Sequence, residues 1–312
     1  MELEMVLNEL SLKTPASDIY TARQLMSGLI GTLRQATASG VKRVLRTSDE
    51  IHSLELAPNY RISQWRNDPE VDREESRFFR TLVAKAPFWT DVFEEFKHEF
   101  DLSEVRYQGE IVNGIGFALI IDGLPVSFNS EIRWDTSYLS LEVIRIDENQ
   151  NLINETVEIV HASCRNHIKE HNNWIKNRFR TQIINGQELW DRRVELFPNL
   201  EFCDEVYRQI QSLDNGKSIL RQILKRLFEL EEYCKSWKVG AFDFDALPSK
   251  VSPESESRLK QFNDKLSFKC SDGKKRLFSL HVRMTPGAGR LHFCTELGPG
   301  KIIIGYIGYK IQ

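Results

Sequence analysis

Apolar residues recur at helical spacing through the first hundred residues. Between residues 20 and 40 they repeat at i, i+3 and i+4, and this pattern predicts a helix that closes on Gly40. Two further helices are predicted over 76–87 and 88–100. After residue 100 the spacing changes to that of strands.

Strand-like runs follow the helical region. Residues 115–130 predict a hairpin in which Asp122 and Gly123 form the turn between two apolar strands. Alternation over 138–146 predicts a third strand, and a long helix is predicted from Glu155 to about Arg180. Helices combined with an antiparallel sheet predict an α+β domain over residues 1–190.

A second domain is predicted over residues 195–312. Its expected elements are a strand at Leu200–Phe202, a helix to about residue 213, a helix over 218–237, an insert at about 238–266, and strands over 276–284, 289–296 and 301–311. The order is β-α-α-β-β-β with the insert before the last three strands. The predicted fold class of the whole chain is therefore α+β.

Alternation along the last three strands divides their side chains between two faces. One face, called the polar face below, is expected to be open to solvent and to carry His281, Arg283, Arg290, His292, Tyr306 and Lys310, with Ser279, Ile302 and Ile304 beside them. The other face is expected to pack on the helices through Phe278, Leu280, Val282, Leu291, Phe293, Ile303, Ile307, Tyr309 and Ile311.

Charge is divided unevenly along the chain. From Arg258 to Gln312 there are 11 Lys and Arg against 3 Asp and Glu, a balance of +8, whereas the residues before Arg258 carry −11. The basic end predicts contact with a polyanion, nucleic acid first. The other interpretation is a basic surface docked on an acidic domain of the same chain.

The composition narrows the class of protein. With 41% hydrophobic and 28% charged residues, the chain has enough apolar matter for folded cores. An acidic N-terminus and the lack of a membrane-length apolar run predict a cytoplasmic protein without a signal peptide or a membrane partner. The cysteines form no CxxC pair and are expected to be reduced, mostly buried and not part of a zinc site.

The side chains of the polar face suit metal-independent cleavage of RNA. Histidine titrates near neutrality and can take the 2′-OH proton or protonate the leaving oxygen. Arginine can hold the charge that builds on phosphorus. Since no cluster of acidic residues for two metal ions accompanies them, we expect no metal and no cofactor.

From Leu200 onward the chain resembles the RelE/ParE toxin superfamily, in its RelE-type mRNA interferase branch. The resemblance lies in the order of the elements and in three short segments, 278-FSLHVR-283, 289-GRLHF-293 and 301-KIIIGYIGYK-310. It implies a toxin-like endoribonuclease, a hydrolase that cuts mRNA and commonly does so on the ribosome. It also implies an antitoxin or another regulatory partner.

The resemblance implies roles for single residues. Arg290 corresponds to the arginine that contacts the scissile phosphate, His281 and Arg283 to basic residues of the second strand, and Lys310 to the basic residue that closes the last strand. His292 has no equivalent in the family, but alternation places it beside Arg290, and Tyr306 is expected to substitute for a catalytic aromatic residue. RNA binding is expected of Lys274, Lys275, Arg276 and Lys301.

Two other functions stay open. The fold could serve as a non-catalytic module that binds RNA, the ribosome or a protein. A DNA nuclease could instead use Asp122 and Glu142, which are predicted on neighbouring strands of the N-terminal sheet. Fusion to a large N-terminal domain suggests a regulated effector, in antiviral defence, with that domain as sensor, autoinhibitor or targeting module.

Two N-terminal patterns receive structural interpretations. His167 and His171 are spaced i, i+4 near His161 on a predicted helix, and we interpret them as a surface or interface pair rather than a metal site. The run Gly114-Ile115-Gly116 precedes a predicted strand, which argues against a phosphate-binding fingerprint.

Overall fold

The computed structural model of the chain describes residues 3–85, 88–92, 103–146, 152–180, 183–211, 218–284 and 289–311. Two compact units divide the chain, Met1–Gln182 and Ile183–Gln312, so the division falls before residue 190, where the first domain is predicted to end. Both units mix helices and strands, which confirms the predicted α+β class. Among the described residues, no helix combines the length and the apolar character needed to span a membrane.

The N-terminal unit contains seven labelled helices and nine strands in its described part. The helices are α1 (Ile19–Ala38), α2 (Ile62–Trp65), α3 (Arg73–Val83), α4 (Trp89–Val92), α5 (Asn113–Ile121), α6 (Arg165–Glu170) and α7 (Asn172–Arg180). The strands are β1 (Met5–Leu7), β2 (Leu45–Arg46), β3 (Glu55–Ala57), β4 (Tyr60–Arg61), β5 (Ser103–Tyr107), β6 (Glu110–Ile111), β7 (Leu124–Val126), β8 (Tyr138–Ile146) and β9 (Leu152–Val160). Short 3-10 helices lie at Glu9–Leu12, Asp49–His52 and Ile132–Trp134.

Helix α1 forms where the apolar periodicity predicts it. The Asp18 carboxylate caps its first turn by accepting the N–H of Thr21 at 2.8 Å. Gly40 follows the helix with φ 106°, a conformation that glycine adopts without strain. Helix α3 confirms the second predicted helix, and α4 begins the third, of which residues 93–100 lie outside the described part.

Strands of the N-terminal unit form a parallel and an antiparallel sheet. The parallel sheet has the order β2-β1-β7, and the antiparallel sheet has the order β6-β5-β8-β9. Strands β3 and β4 form a separate hairpin. The predicted strand over 138–146 is confirmed as β8, which pairs with β9 along its whole length.

Two predicted elements of the N-terminal unit are wrong. Residues 113–121 form the buried helix α5, not a strand, and Asp122 ends it in the left-handed conformation at φ 52°. The long helix predicted from Glu155 does not form, because residues up to Val160 pair with β8 as β9 and helices α6 and α7 follow separately.

The C-terminal unit is built on one five-stranded sheet. Its helices are α8 (Gly186–Leu196), α9 (Asp204–Ile210), α10 (Ser218–Ser236) and α11 (Glu256–Gln261), with a 3-10 helix at Phe244–Ala246. Its strands are β10 (Leu200–Phe202), β11 (Val251–Pro253), β12 (Ser267–Lys269), β13 (Lys275–Leu277), β14 (Leu280–Arg283), β15 (Gly289–Cys294) and β16 (Ile302–Tyr309). The sheet order is β10-β16-β15-β14-β11, with β10 parallel to β16 and the other pairs antiparallel.

Helix α10 supplies the apolar layer beneath this sheet. Ile223, Leu227 and Leu230 form a buried stripe at helical spacing, and the helix contacts β10, β15 and β16. The run predicted as one strand over 276–284 is divided, because β13 pairs with β12 in a separate hairpin and only β14 joins the sheet.

Candidate functional site

The β14–β15 hairpin brings two arginines and two histidines onto one side of the sheet. Arg283 lies directly opposite Arg290, and His281 lies directly opposite His292. Residues that are directly opposed share a face, so the predicted grouping of these four side chains is confirmed. The two imidazole rings are close, with 5.3 Å between their centroids.

The last strand departs from strict alternation. His292 pairs with Tyr306, but Phe293 pairs with Ile304, so the register shifts at Gly305. A Cβ at Gly305 would approach the Phe278 ring within 2.5–2.7 Å, which leaves no room for a side chain at the bulge. Tyr306 lies beside His292 on the polar face, with ring centroids 5.7 Å apart.

Three predicted orientations on β16 are wrong, and the shift of register accounts for two of them. Ile302 and Ile304, predicted to face solvent, are both buried, and they lie on the N-terminal side of the bulge, where the phase of alternation changes. Tyr309, predicted to pack on the helices, is 73% exposed and is the last residue of β16.

The histidine part of the polar face is closed, whereas Arg283 and Arg290 are partly exposed. His281 is 3% exposed and His292 is 0% exposed. The ring of Phe268 in β12 stacks on Tyr306, with centroids 6.0 Å apart and planes inclined by 15°. Glu254, which directly follows β11, is also buried. The insert and the β12–β13 hairpin therefore cover the two histidines, and their predicted exposure is wrong.

Glu254 is the centre of the buried polar contacts. Its Oε2 accepts a hydrogen bond from Nε of Arg258 at 2.7 Å. Its Oε1 lies 3.4 Å from Nη1 of Arg290 and 3.2 Å from Nδ1 of His281. One carboxylate thus contacts two guanidinium groups and one imidazole.

The environment holds both imidazoles neutral. Burial, followed by the charge of Arg290, lowers the pKa of His281 to about 2. Burial also lowers the pKa of His292 to about 4, although the charge of Glu254 opposes this effect. At pH 7 neither ring carries a proton that it could donate as an imidazolium.

The remaining predicted catalytic residues lie at the edges of the polar face. The Tyr306 hydroxyl donates to the Tyr309 carbonyl at 2.8 Å, and burial raises the pKa of Tyr306. Lys310 is half-buried and follows β16 directly; alternation places it on the face of Tyr306 and Arg290.

The predicted RNA-binding residues do not form one group. Lys274 and Lys275 are exposed at the β12–β13 turn, and Arg276 is held by Asp272 at 2.6 Å. Lys301 donates to the Pro198 carbonyl at 2.9 Å. Lys301 precedes β16 and Lys310 follows β16, so an eight-residue strand separates these two lysines.

Glu254 and Arg258 are the site residues that the sequence does not reveal. They are joined to the polar face by the pairing of β11 with β14, in which Ser252 lies opposite His281. The local signals are the Ser255 N-cap of α11 and the i, i+4 spacing of Glu254 and Arg258. These signals indicate a helix start but not its position against His281.

Among the residues that the structure describes, two groups of side chains have donor atoms close enough together to hold a metal ion. Donor atoms of Glu254, His281 and His292 lie within 4.8 Å of one another, and so do donor atoms of Asp135, Cys164 and His167. The first group is wholly buried, whereas Asp135 in the second is exposed.

His161 has a hydrogen-bond partner at each ring nitrogen, whereas Nδ1 of His171 has none in the described part of the chain. His161 accepts the Ser127 hydroxyl at Nε2 and donates from Nδ1 to the Thr136 carbonyl, each at 2.7 Å. Burial lowers the pKa of His161 to about 4. His171 is also buried and contacts the Ser137 carbonyl at 2.8 Å. The predicted surface pair of His167 and His171 is therefore wrong, since both are buried.

The carboxylates predicted on neighbouring strands are not neighbours in the sheet. Asp122 ends helix α5 and forms an ion pair with Arg178. Glu142 lies in β8, opposite Arg106 and Thr156. The predicted pair of nuclease carboxylates is wrong because its first member is not on a strand.

Gly114 opens a helix, contrary to prediction. A Cβ at this position would collide with the Leu7 carbonyl and with the Glu9 carboxylate. The glycine therefore permits close packing of α5 beside β1. A phosphate at this helix start would have to occupy the position of the Glu9 carboxylate, which would also repel it. This contact therefore argues against phosphate binding.

Comparison with known proteins finds no matching family model, no matching curated protein and no matching solved structure. The resemblance of residues 200–312 to RelE-type toxins stays a prediction from the sequence.

Proposed function

We propose that the C-terminal unit binds the phosphate backbone of RNA and that Arg283 and Arg290 are its central contacts. The observation that carries the proposal is the direct opposition of these two arginines on adjacent strands. Like charges in this position destabilise a sheet. An anion that binds between the two guanidinium groups would offset this repulsion, since each group offers a phosphate two parallel donors.

A positive potential around the pair supports the proposal. After burial, the charges of Arg290, Arg283 and Arg258 are among the causes that lower the pKa of His281. The segment from Arg258 onward carries a balance of +8. Such a potential raises the local concentration of a polyanion and speeds its association.

RNA is the polyanion that we propose. The closing strands resemble those of RelE-type mRNA interferases in 278-FSLHVR-283 and 289-GRLHF-293. On this basis the chain is a toxin-like effector whose C-terminal unit engages RNA, alone or on the ribosome, and whose N-terminal unit regulates it.

Binding without histidine catalysis fits the geometry better than cleavage by His281 and His292. General acid catalysis needs a protonated group that reaches the substrate. Both rings are buried, and their pKa values of about 2 and 4 leave them neutral at pH 7. The second candidate is the endoribonuclease, which the position of the histidine pair beside the arginine pair favours, and it requires the cover to open.

Binding of a labelled single-stranded RNA by the full chain tests the proposal. Arg290→Gln and Arg283→Gln should each weaken binding about 10-fold, the effect of one charged hydrogen bond. Each should also reduce the slope of log affinity against log salt by about 0.7. Arg208→Gln is the matched control, because Arg208 is an exposed arginine on α9 of the same unit.

The outcomes separate the candidates. Equal affinity of wild type, Arg290→Gln and Arg283→Gln would overturn the proposal. A stronger effect on duplex DNA than on RNA would assign the face to DNA. Cellular mRNA cleavage by the wild type that disappears in both Arg290→Ala and His281→Ala would support the endoribonuclease instead.

A further inference from the structure

Three imidazole nitrogen atoms inside the C-terminal unit lack hydrogen-bond partners. Within the described part of the chain, both ring nitrogens of His281 and Nε2 of His292 have none, although both side chains are more than nine-tenths buried. Buried polar atoms in folded proteins are nearly always bonded to protein, water or an ion. Three such atoms in two adjacent rings indicate that a ligand lies between them.

The contacts of the ring nitrogens define the kind of ligand. Nδ1 of His292 lies 3.4 Å from the Phe278 carbonyl, so it carries the proton and Nε2 keeps a lone pair, as in histidine ligands of metal ions. Nδ1 of His281 lies 3.2 Å from Oε1 of Glu254 without the geometry of a hydrogen bond. These two atoms therefore lie side by side as donors to one cation.

We infer that His281, His292 and Glu254 form a binding site for a divalent transition metal ion, with zinc as the metal that suits these donors. Their donor atoms lie within 4.8 Å of one another. Two imidazoles and one carboxylate are a common ligand set for an open zinc site. Tetrahedral bonds of about 2.0–2.1 Å place ligand atoms about 3.3 Å apart, so these atoms approach one another by up to about 1.5 Å on binding.

The neighbouring arginines lower the affinity of this site for a metal ion and determine the charge of its fourth ligand. Arg258 and Arg290 both contact Glu254, and each positive charge opposes a second cation nearby. A metal ion here therefore requires an anion in its coordination shell. A phosphate oxygen held by Arg290 would supply it, and this part of the inference rests on the proposed function, whereas the three protein ligands do not.

Metal binding to the full chain tests the inference. Chelator-stripped protein is titrated with Co²⁺, observed through its visible ligand-field absorption, and with Zn²⁺ in competition with a chromophoric chelator. We expect one equivalent per chain. His281→Gln and His292→Gln each remove a ligand. Each should lower the metal affinity by more than the 10- to 100-fold that loss of an outer-sphere partner causes. His171→Gln is the control, because His171 is equally buried but lies in the N-terminal unit.

A second measurement on the wild type does not depend on the folding of variants. Nitrogen-15 spectra of the histidine side chains should show Zn²⁺ moving one ring-nitrogen resonance of each of two residues. Inorganic phosphate should tighten Zn²⁺ binding several-fold. No one-to-one binding, or unchanged side-chain resonances, would overturn the site. Equal loss of binding in His171→Gln and His292→Gln would overturn it too. Metal binding without a phosphate effect would keep the site and remove only the proposed fourth ligand.

Discussion

Acidification should destabilise the N-terminal unit through His161. The ring is fully buried, and its two nitrogens are satisfied by Ser127 and by the Thr136 carbonyl only in the neutral form. Because Nε2 accepts the Ser127 hydroxyl proton, a proton added there forces that hydroxyl to turn away. Burial, the largest cause, lowers the pKa of His161 from 6.5 to about 4.

The size of the effect follows from linkage. A histidine whose pKa is lower in the folded state binds protons in the unfolded state first, so stability falls as pH drops through 6.5 and levels off near pH 4. Between pH 8 and pH 5, His161 binds nearly one proton in the unfolded state and almost none in the folded state. The free energy of unfolding falls by about 1.4 kcal/mol per pH unit below 6.5, so at pH 5 it is about 2 kcal/mol lower.

Urea unfolding at pH 8 and pH 5 measures this loss. His161→Gln removes the titrating ring, so its free energy of unfolding should fall by about 2 kcal/mol less than that of the wild type across this pH range. Ser127→Ala is the control, because it deletes one hydrogen bond of the ring but keeps the imidazole. If His161→Gln and the wild type lose the same free energy, His161 titrates normally and the reasoning from burial fails.

Three further changes test other contacts. Glu254→Gln should destabilise the C-terminal unit by about 3 kcal/mol, as measured by thermal melting. This is the low end of the free-energy cost of breaking a buried ion pair, because the Arg290 side chain is still 14% exposed. Gly305→Ala should cost more than 1 kcal/mol in the same assay, because its Cβ would meet the Phe278 ring at 2.5 Å. Gly28→Ala in α1 is the control, because no atom lies within 4 Å of that Cβ and the backbone is helical. Removal of residues 1–182 should increase RNA binding or toxicity if the N-terminal unit is inhibitory; unchanged or lower activity would contradict that role.

The grouping of the polar side chains is predictable because it depends on local alternation alone. His281, Arg283, Arg290 and His292 lie on two short strands without a bulge, and their register follows from the hairpin. The next strand breaks the rule at Gly305, where one residue lies outside the ladder. A glycine in a strand is a signal of a bulge, but the side to which the register shifts depends on its neighbours.

Helix α5 illustrates an ambiguity that periodicity cannot resolve. Every residue from Gly114 to Ile121 is buried, so the run is apolar all round and has no polar face. A short run of this kind is equally consistent with a buried strand and a buried helix. Asp122 does not decide between them, because both a hairpin turn and a helix end use a residue with positive φ.

Closure of the polar face over His281 and His292 depends on contacts between distant residues. Glu254 reaches His281 only because β11 pairs with β14, and Phe268 reaches Tyr306 from a hairpin outside the five-stranded sheet. Neither pairing has a local signature in the sequence. Polar residues on alternate positions of a strand predict exposure, and the covering insert reverses that expectation.

Burial, not distance, separates phosphate binding from proton transfer in this unit. Arg283 and Arg290 lie two residues along their strands from His281 and His292, about 7 Å at the backbone. Their side chains nevertheless converge, because Nη1 of Arg290 and Nδ1 of His281 contact the same oxygen of Glu254, at 3.4 Å and 3.2 Å. Both imidazoles are buried, so RNA that contacts the arginines does not reach them. Cleavage would need the RNA to enter where Phe268 stacks on Tyr306. Phe268→Ala removes that cover, so cleavage by this variant, with binding alone by the wild type, would identify the cover as the barrier between the two activities.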